Sequence, residues 1–172
     1  MAKPRMIYWD ACAWISYIQK EMPGDGKSFT ELRYEMCKET LKRAEAGEYE
    51  IATSAFTLAE VCKRPWDPAS PSVNLAAFFD QPYIVLIPVD KQVGRHAQAL
   101  QLAGLAGLKP PDAIHLASAT VWNVATFHTF DGRLIDLTRK ITMADGNPLE
   151  VMMPTHEIPT PGLLKAMQER EH

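Results

Sequence analysis

Four acids in this chain carry the chemistry worth testing: Asp10 in IYWDACAWI, Glu60 in TSAFTLAEV, Asp112 in PPDAIHLASA and Asp131 in HTFDGRL. Each also has an ordinary use. Asp10 and Asp131 suit helix N-caps, and Asp112 suits the positive end of a helix dipole, worth about 0.3–1 kcal/mol. Glu60 suits an ion pair with Arg64 four residues on, worth about 0.2–0.5 kcal/mol. None of these uses requires the four to meet. If they do meet, mutual repulsion leaves some of them protonated unless a cation intervenes. The five histidines form no HExxH pair, and the cysteines have no zinc-like spacing with them. Oxygen-only ligation of that kind suits Mg²⁺ or Mn²⁺. Such an ion activates water and offsets charge on a phosphodiester undergoing hydrolysis.

The acids must be placed by the elements around them. RMIYWD reads as a short buried strand running into a helix, ACAWISYIQK, and a long charged helix, FTELRYEMCKETLKRAEAGE, ends near Gly47. YEIATS is a second strand, with Ser54 expected to cap a helix AFTLAEVCKR that carries Glu60 about two turns in. A short helix is expected around Asn74 to Phe79. PYIVLIPVD, apolar throughout, reads as a parallel strand covered on both faces, with Asp90 capping the next helix. VATFHTFD and PLEVMMP complete about five strands, with the short helix GRLIDLTRK between them. The alternation implies an α/β fold, with a central parallel sheet and helices on both faces. In such sheets ligands collect beyond the carboxyl ends of the strands where strand order reverses. Asp10, Asp112 and Asp131 fall there directly, and Glu60 reaches the same rim if its helix leans over the first strand.

At 172 residues and 47% apolar content the chain fits one domain, expected over residues 1–154, with a tail at 155–172 that carries a short peripheral helix. No apolar run is long enough for a bilayer and the N-terminus lacks a signal-like core, so a soluble cytoplasmic protein is expected. The odd cysteine count, Cys12, Cys37 and Cys62, suits reduced core residues. The net charge of −3 neither supports nor excludes RNA, since four acids at one metal site would leave a slightly basic remainder. Local basic spots lie at Lys42-Arg43, Lys63-Arg64 and Arg139-Lys140.

These segments resemble the PIN-domain ribonucleases, in particular the VapC-type toxins of bacterial toxin–antitoxin pairs. The resemblance runs in matching order through Asp10, Glu60, Asp90, Asp112 and Asp131, over roughly the first 140–155 residues. It implies a three-layer α/β/α sandwich and a Mg²⁺- or Mn²⁺-dependent endoribonuclease acting on RNA. It also implies a homodimer inhibited by a cognate antitoxin protein. By position Asp10, Glu60, Asp112 and Asp131 would be the catalytic, metal-binding acids, with Thr129 as the hydroxyl that orients them. The family often has Ser, Thr or Asn just after the first Asp, whereas Ala11 and Cys12 stand here. One hydrogen bond near the metal is therefore either missing or supplied by Ser16.

Arg133 and Lys63 are expected phosphate contacts, being cationic and close in sequence to the acids. His115, three residues past Asp112, is a weaker candidate, since such a histidine is more often a polar filler near a helix start. Trp9, Trp14, Tyr17 and Phe56 have the spacing of core or dimer-face residues rather than of a base-stacking platform. The competing reading is a non-catalytic binding module with a vestigial acidic site, motivated by Ala11-Cys12. A haloacid-dehalogenase-like phosphatase needs a second Asp where Cys12 stands, and a response-regulator receiver needs an adjacent acid pair near the first strand; both are disfavoured.

Overall fold

The computed structural model describes residues 5–18, 28–61, 78–105 and 107–154. Five strands form one wholly parallel sheet: β1 (Met6–Trp9), β2 (Glu50–Ser54), β3 (Ile84–Ile87), β4 (Thr126–His128) and β5 (Val151–Met152), in the order β3-β2-β1-β4-β5. The chain builds outward from β1 to β3, then returns to the other side of β1 with β4. Strand order therefore reverses between β1 and β4, directly below Asp10 and the Thr129–Asp131 segment.

Successive side chains on each strand point to opposite faces, and the sheet separates two cores. On one face Tyr8, Ala52, Phe127 and Val151 pack with α4 (Lys91–Leu102) and α5 (Pro110–Val121). On the other, Ile7, Trp9 and Ile51 pack with α1 (Ala11–Ile18) and α2 (Ser28–Glu45). The expected three-layer α/β/α sandwich is the architecture observed. Trp9 and Trp14, both fully buried with ring centroids 4.7 Å apart, fill the second core. Phe127 lies at the centre of the first, and truncating it to Ala would cost about 3–5 kcal/mol.

Helix α5 owes its position to its first and its small residues. Lys109 before it is extended, as a residue preceding proline must be, and Pro110 and Pro111 occupy the first turn, where no N–H is required. Ala113, Ala117 and Ala119 then bring the helix close against the sheet. Asp90 caps α4 as expected, accepting the Val93 N–H at 2.9 Å.

Two local expectations are corrected. Ser54 does not cap a helix: its Oγ accepts the Phe56 N–H in a turn, and α3 (Thr57–Glu60) begins later without a side-chain cap. Glu60 is consequently the last residue of a single-turn helix rather than two turns into a longer one. β3 is an edge strand, yet its apolar run is covered on both faces as expected: Ile87 and Val85 pack into one core, and Ile84 and Leu86 into the other. Cys62, Lys63 and the proline-rich loop, most of the helix expected at Asn74–Phe79, and the tail from Thr155 lie outside the described residues.

Candidate active site

Asp10 is the first residue after β1, buried to 5% exposure. Its Oδ1 accepts the Ala13 N–H at 3.1 Å and the Cys12 thiol at 2.9 Å. Burial pushes its carboxyl above the ordinary Asp range, while the field of His115 and hydrogen bonds from Cys12, Thr129 and Ala13 pull the other way. Cys12 is the residue that sequence reasoning undervalued. Its Sγ also accepts the Phe130 N–H at 3.2 Å and lies 3.3 Å from Thr129 Oγ1. The neighbour that the first acid lacks at residue 11 is thus supplied by the thiol of Cys12, not by Ser16, which is buried within α1. Burial and the adjacent carboxylate push the Cys12 thiol far up, so it stays protonated and serves as a hydrogen-bonding group.

Thr129 is fully buried, and its Oγ1 accepts the Asp131 N–H at 3.0 Å. Asp131 ends this turn and caps α6 (Gly132–Ile135), accepting the Arg133 N–H at 2.9 Å. The Arg133 guanidinium folds back onto the same carboxylate, at 3.2 Å to Oδ1 and 2.5 Å to Oδ2. That hydrogen bonding holds the Asp131 carboxyl below its usual range, with Lys109 contributing more weakly. Asp112, in the first turn of α5, acts electrostatically on Arg133. Arg133, expected as a phosphate contact, is thus bonded to an acid here. The other basic spots are partly spoken for as well, since Arg43 pairs with Glu48 and Arg139 with Glu150, each at 2.6 Å.

Glu60 meets His115 across the rim. His115 Nε2 lies 2.6 Å from Glu60 Oε2, and its Nδ1 lies 2.8 Å from the Tyr8 hydroxyl, which in turn accepts the Ser54 N–H at 2.9 Å. The imidazole is 3% exposed and both ring nitrogens are engaged, the arrangement of the polar filler that the sequence favoured over a phosphate contact. Tyr8 is a further residue that pattern alone does not single out, because an apolar strand gives no sign of where one hydroxyl points. Phe56 packs against His115 edge-on at 6.3 Å, and Tyr17 stacks on Tyr34, so both act as packing residues.

Asp10, Glu60 and Asp131 thus follow β1, β2 and β4, and Asp112, in the first turn of α5, acts through its field on Arg133, the partner of Asp131. Among the described residues, however, no three His, Cys, Asp or Glu side chains form a ready-made metal cage. The pairings explain this, because Glu60 turns toward His115 and Asp131 toward Arg133. The donor chemistry still fits a hard divalent cation. Cys12 is held as a thiol and His115 has no free nitrogen, which leaves carboxylate oxygens as the available ligands.

No helix among the described residues is long and apolar enough to cross a membrane. No curated protein matches the chain. The family profile described as PIN domain matches residues 7–140, well over half of the sequence, and spans every one of the four acids. PIN domains are generally nucleases that typically use divalent metal ions. The chain belongs to the PIN-domain family.

Proposed function

We propose that this protein is a Mg²⁺- or Mn²⁺-dependent endoribonuclease and the toxin of a toxin–antitoxin pair. The observation that carries the reading is Asp10: a carboxylate buried at the switch point of a parallel sheet, where its ionisation is penalised and no Lys or Arg among the described residues is bonded to it. Asp10, Asp112 and Asp131 would hold the cation, and Glu60 would bind through a water or position the attacking water. The cation supplies water activation and neutralises charge accumulating on the phosphodiester. Cys12 and the Ala13 N–H fix the Asp10 carboxylate, and Thr129 fixes the turn that presents Asp131. Arg133 is bonded to Asp131 and would be free to contact an RNA phosphate if Asp131 were to ligate a cation instead. Lys63 is proposed to join it. A homodimer is proposed, as is an antitoxin segment lying across the acidic rim, in the cytoplasm.

The test is cleavage of a labelled RNA by purified protein with Mn²⁺, with Mg²⁺ and with chelator. Asp10→Asn and Asp112→Asn should each abolish metal-stimulated cleavage while leaving the protein folded. Persistent cleavage in both variants refutes the mechanism. Sequencing the cut ends after brief expression identifies the RNA target. The internal pairing of Glu60 and Asp131 favours a second reading, a binding module without catalysis. Calorimetry with Mn²⁺ separates the two, because a working site binds the metal and a vestigial one does not.

A further inference from the structure

A chain of hydrogen bonds runs from the end of β2 to Glu60, and its two ends together favour one direction, since the Ser54 N–H can only donate and a Glu60 carboxylate oxygen accepts. The Ser54 backbone N–H can only donate, so the Tyr8 hydroxyl accepts it at 2.9 Å and keeps its own proton to give onward. The next atom is His115 Nδ1 at 2.8 Å, and beyond the ring His115 Nε2 reaches Glu60 Oε2 at 2.6 Å. A proton given by Tyr8 to Nδ1 makes that nitrogen an acceptor and leaves the ring proton on Nε2, aimed at the carboxylate. The members are held tightly. Tyr8 is fully buried and stacks on Phe127 at 5.0 Å, and His115 packs edge-on to both Tyr8 and Phe56. Glu60 sits on a one-turn helix with little stiffness of its own, so this clamp supplies what α3 cannot.

We propose that Tyr8 is a positioning residue that favours the Nε2–H form of His115 and so holds Glu60 by Oε2, leaving Oε1 as the oxygen that would serve a bound cation or its water. The function of the clamp rests on the nuclease reading above, whereas the tautomer does not. Partners of this kind, which orient a ligand or a water-holding carboxylate, commonly change metal affinity by about 10–100-fold when removed.

The experiment uses Tyr8→Phe, which keeps the ring stack and deletes only the hydroxyl, and reads two quantities at pH 8. Long-range ¹H–¹⁵N correlation reports the tautomer of His115. Calorimetry with Mn²⁺ alone, without RNA, reports metal binding. Wild type should show His115 protonated on Nε2 alone; Tyr8→Phe should show a mixture of both neutral forms and bind Mn²⁺ about tenfold more weakly. His115→Gln, whose amide can still donate toward Glu60, should retain most of the affinity, and His115→Leu should lose it. Adding Tyr8→Phe to His115→Leu should cost nothing further. A wild-type ring protonated on Nδ1, or a tautomer unmoved by Tyr8→Phe, overturns the proposal, as does an unchanged Mn²⁺ affinity in Tyr8→Phe. A wild type that binds no Mn²⁺ overturns the nuclease reading and with it the clamp's function. The ring spectrum would still decide whether Tyr8 sets the tautomer.

Discussion

Replacing Asp10 with Asn should stabilise the metal-free protein while destroying its activity. The Asp10 carboxyl is 5% exposed, and desolvation is the main cause of its raised pKa, opposed by His115, Cys12, Thr129 and Ala13. Asn keeps the shape and an oxygen for the Ala13 N–H and the Cys12 thiol. Exchanging charged for neutral hydrogen bonds loses roughly 1 kcal/mol, and removing a buried, incompletely compensated carboxylate recovers roughly 2–3 kcal/mol. The net is about 1–2 kcal/mol, a rise in Tm of about 2–8 °C for a domain of this size. Because the folded protein keeps the Asp10 proton to a higher pH than the unfolded chain does, wild-type stability falls as pH climbs from about 4 through the folded pKa. The advantage of Asn should therefore open over that window and vanish below it. Mn²⁺ reverses the comparison: at one hundred times its Kd a bound ligand stabilises by about 2.7 kcal/mol, and only wild type should gain it. Calorimetric melting of both proteins, from pH 4 to 8 and with and without Mn²⁺, measures each part. An Asn variant less stable than wild type in chelator at pH 8, or equal stabilisation of both by Mn²⁺, would refute the reasoning.

Three further outcomes are expected. Arg133→Ala removes the cation that competes for Asp131, so calorimetry should show Mn²⁺ binding a few-fold tighter while the KM for RNA rises; weaker metal binding would show that Arg133 supports the ion instead. Cys12→Ser should keep activity, whereas Cys12→Ala strands the part-buried Phe130 N–H and deprives Asp10 of a donor, costing about 1–3 kcal/mol in urea unfolding; equal stability of the two variants would count against the thiol's role. His128 is buried and its pKa is lowered to about 4, first by desolvation and then by Arg5. Its contribution is present above the unfolded value near 6.5 and is lost as pH falls toward 4, an effect of roughly 3 kcal/mol. His128→Leu should flatten that acid limb relative to wild type, and an unchanged slope would place the titration elsewhere.

What the sequence disclosed and what it concealed divide along a physical line. The strands at Met6, Glu50 and Thr126 and the helix behind Pro110 follow from apolar runs and from proline's restriction on its neighbours, which are local properties. The placement of Asp10 and Asp131 at the sheet's carboxyl edge follows from strand alternation and the right-handed crossover, which topology imposes. The pairings at the site follow from neither. Tyr8 and His115 are separated by 107 residues and Cys12 and Thr129 by 117, and no periodicity encodes a hydrogen bond across such distances. Arg133 looked like a ligand for phosphate because it is cationic and adjacent to an acid. Adjacency is also what lets it fold back onto Asp131, two residues away, once α6 turns the chain. The sequence therefore names the acids, but the folded chain decides which are restrained: Glu60 by an imidazole, Asp131 by a guanidinium, and Asp10 by a thiol and a backbone N–H. Of these three acids only Asp131 is bonded to a guanidinium among the described residues, so a divalent cation entering the rim must displace Arg133 there, whereas at the buried Asp10 it meets no bonded Lys or Arg.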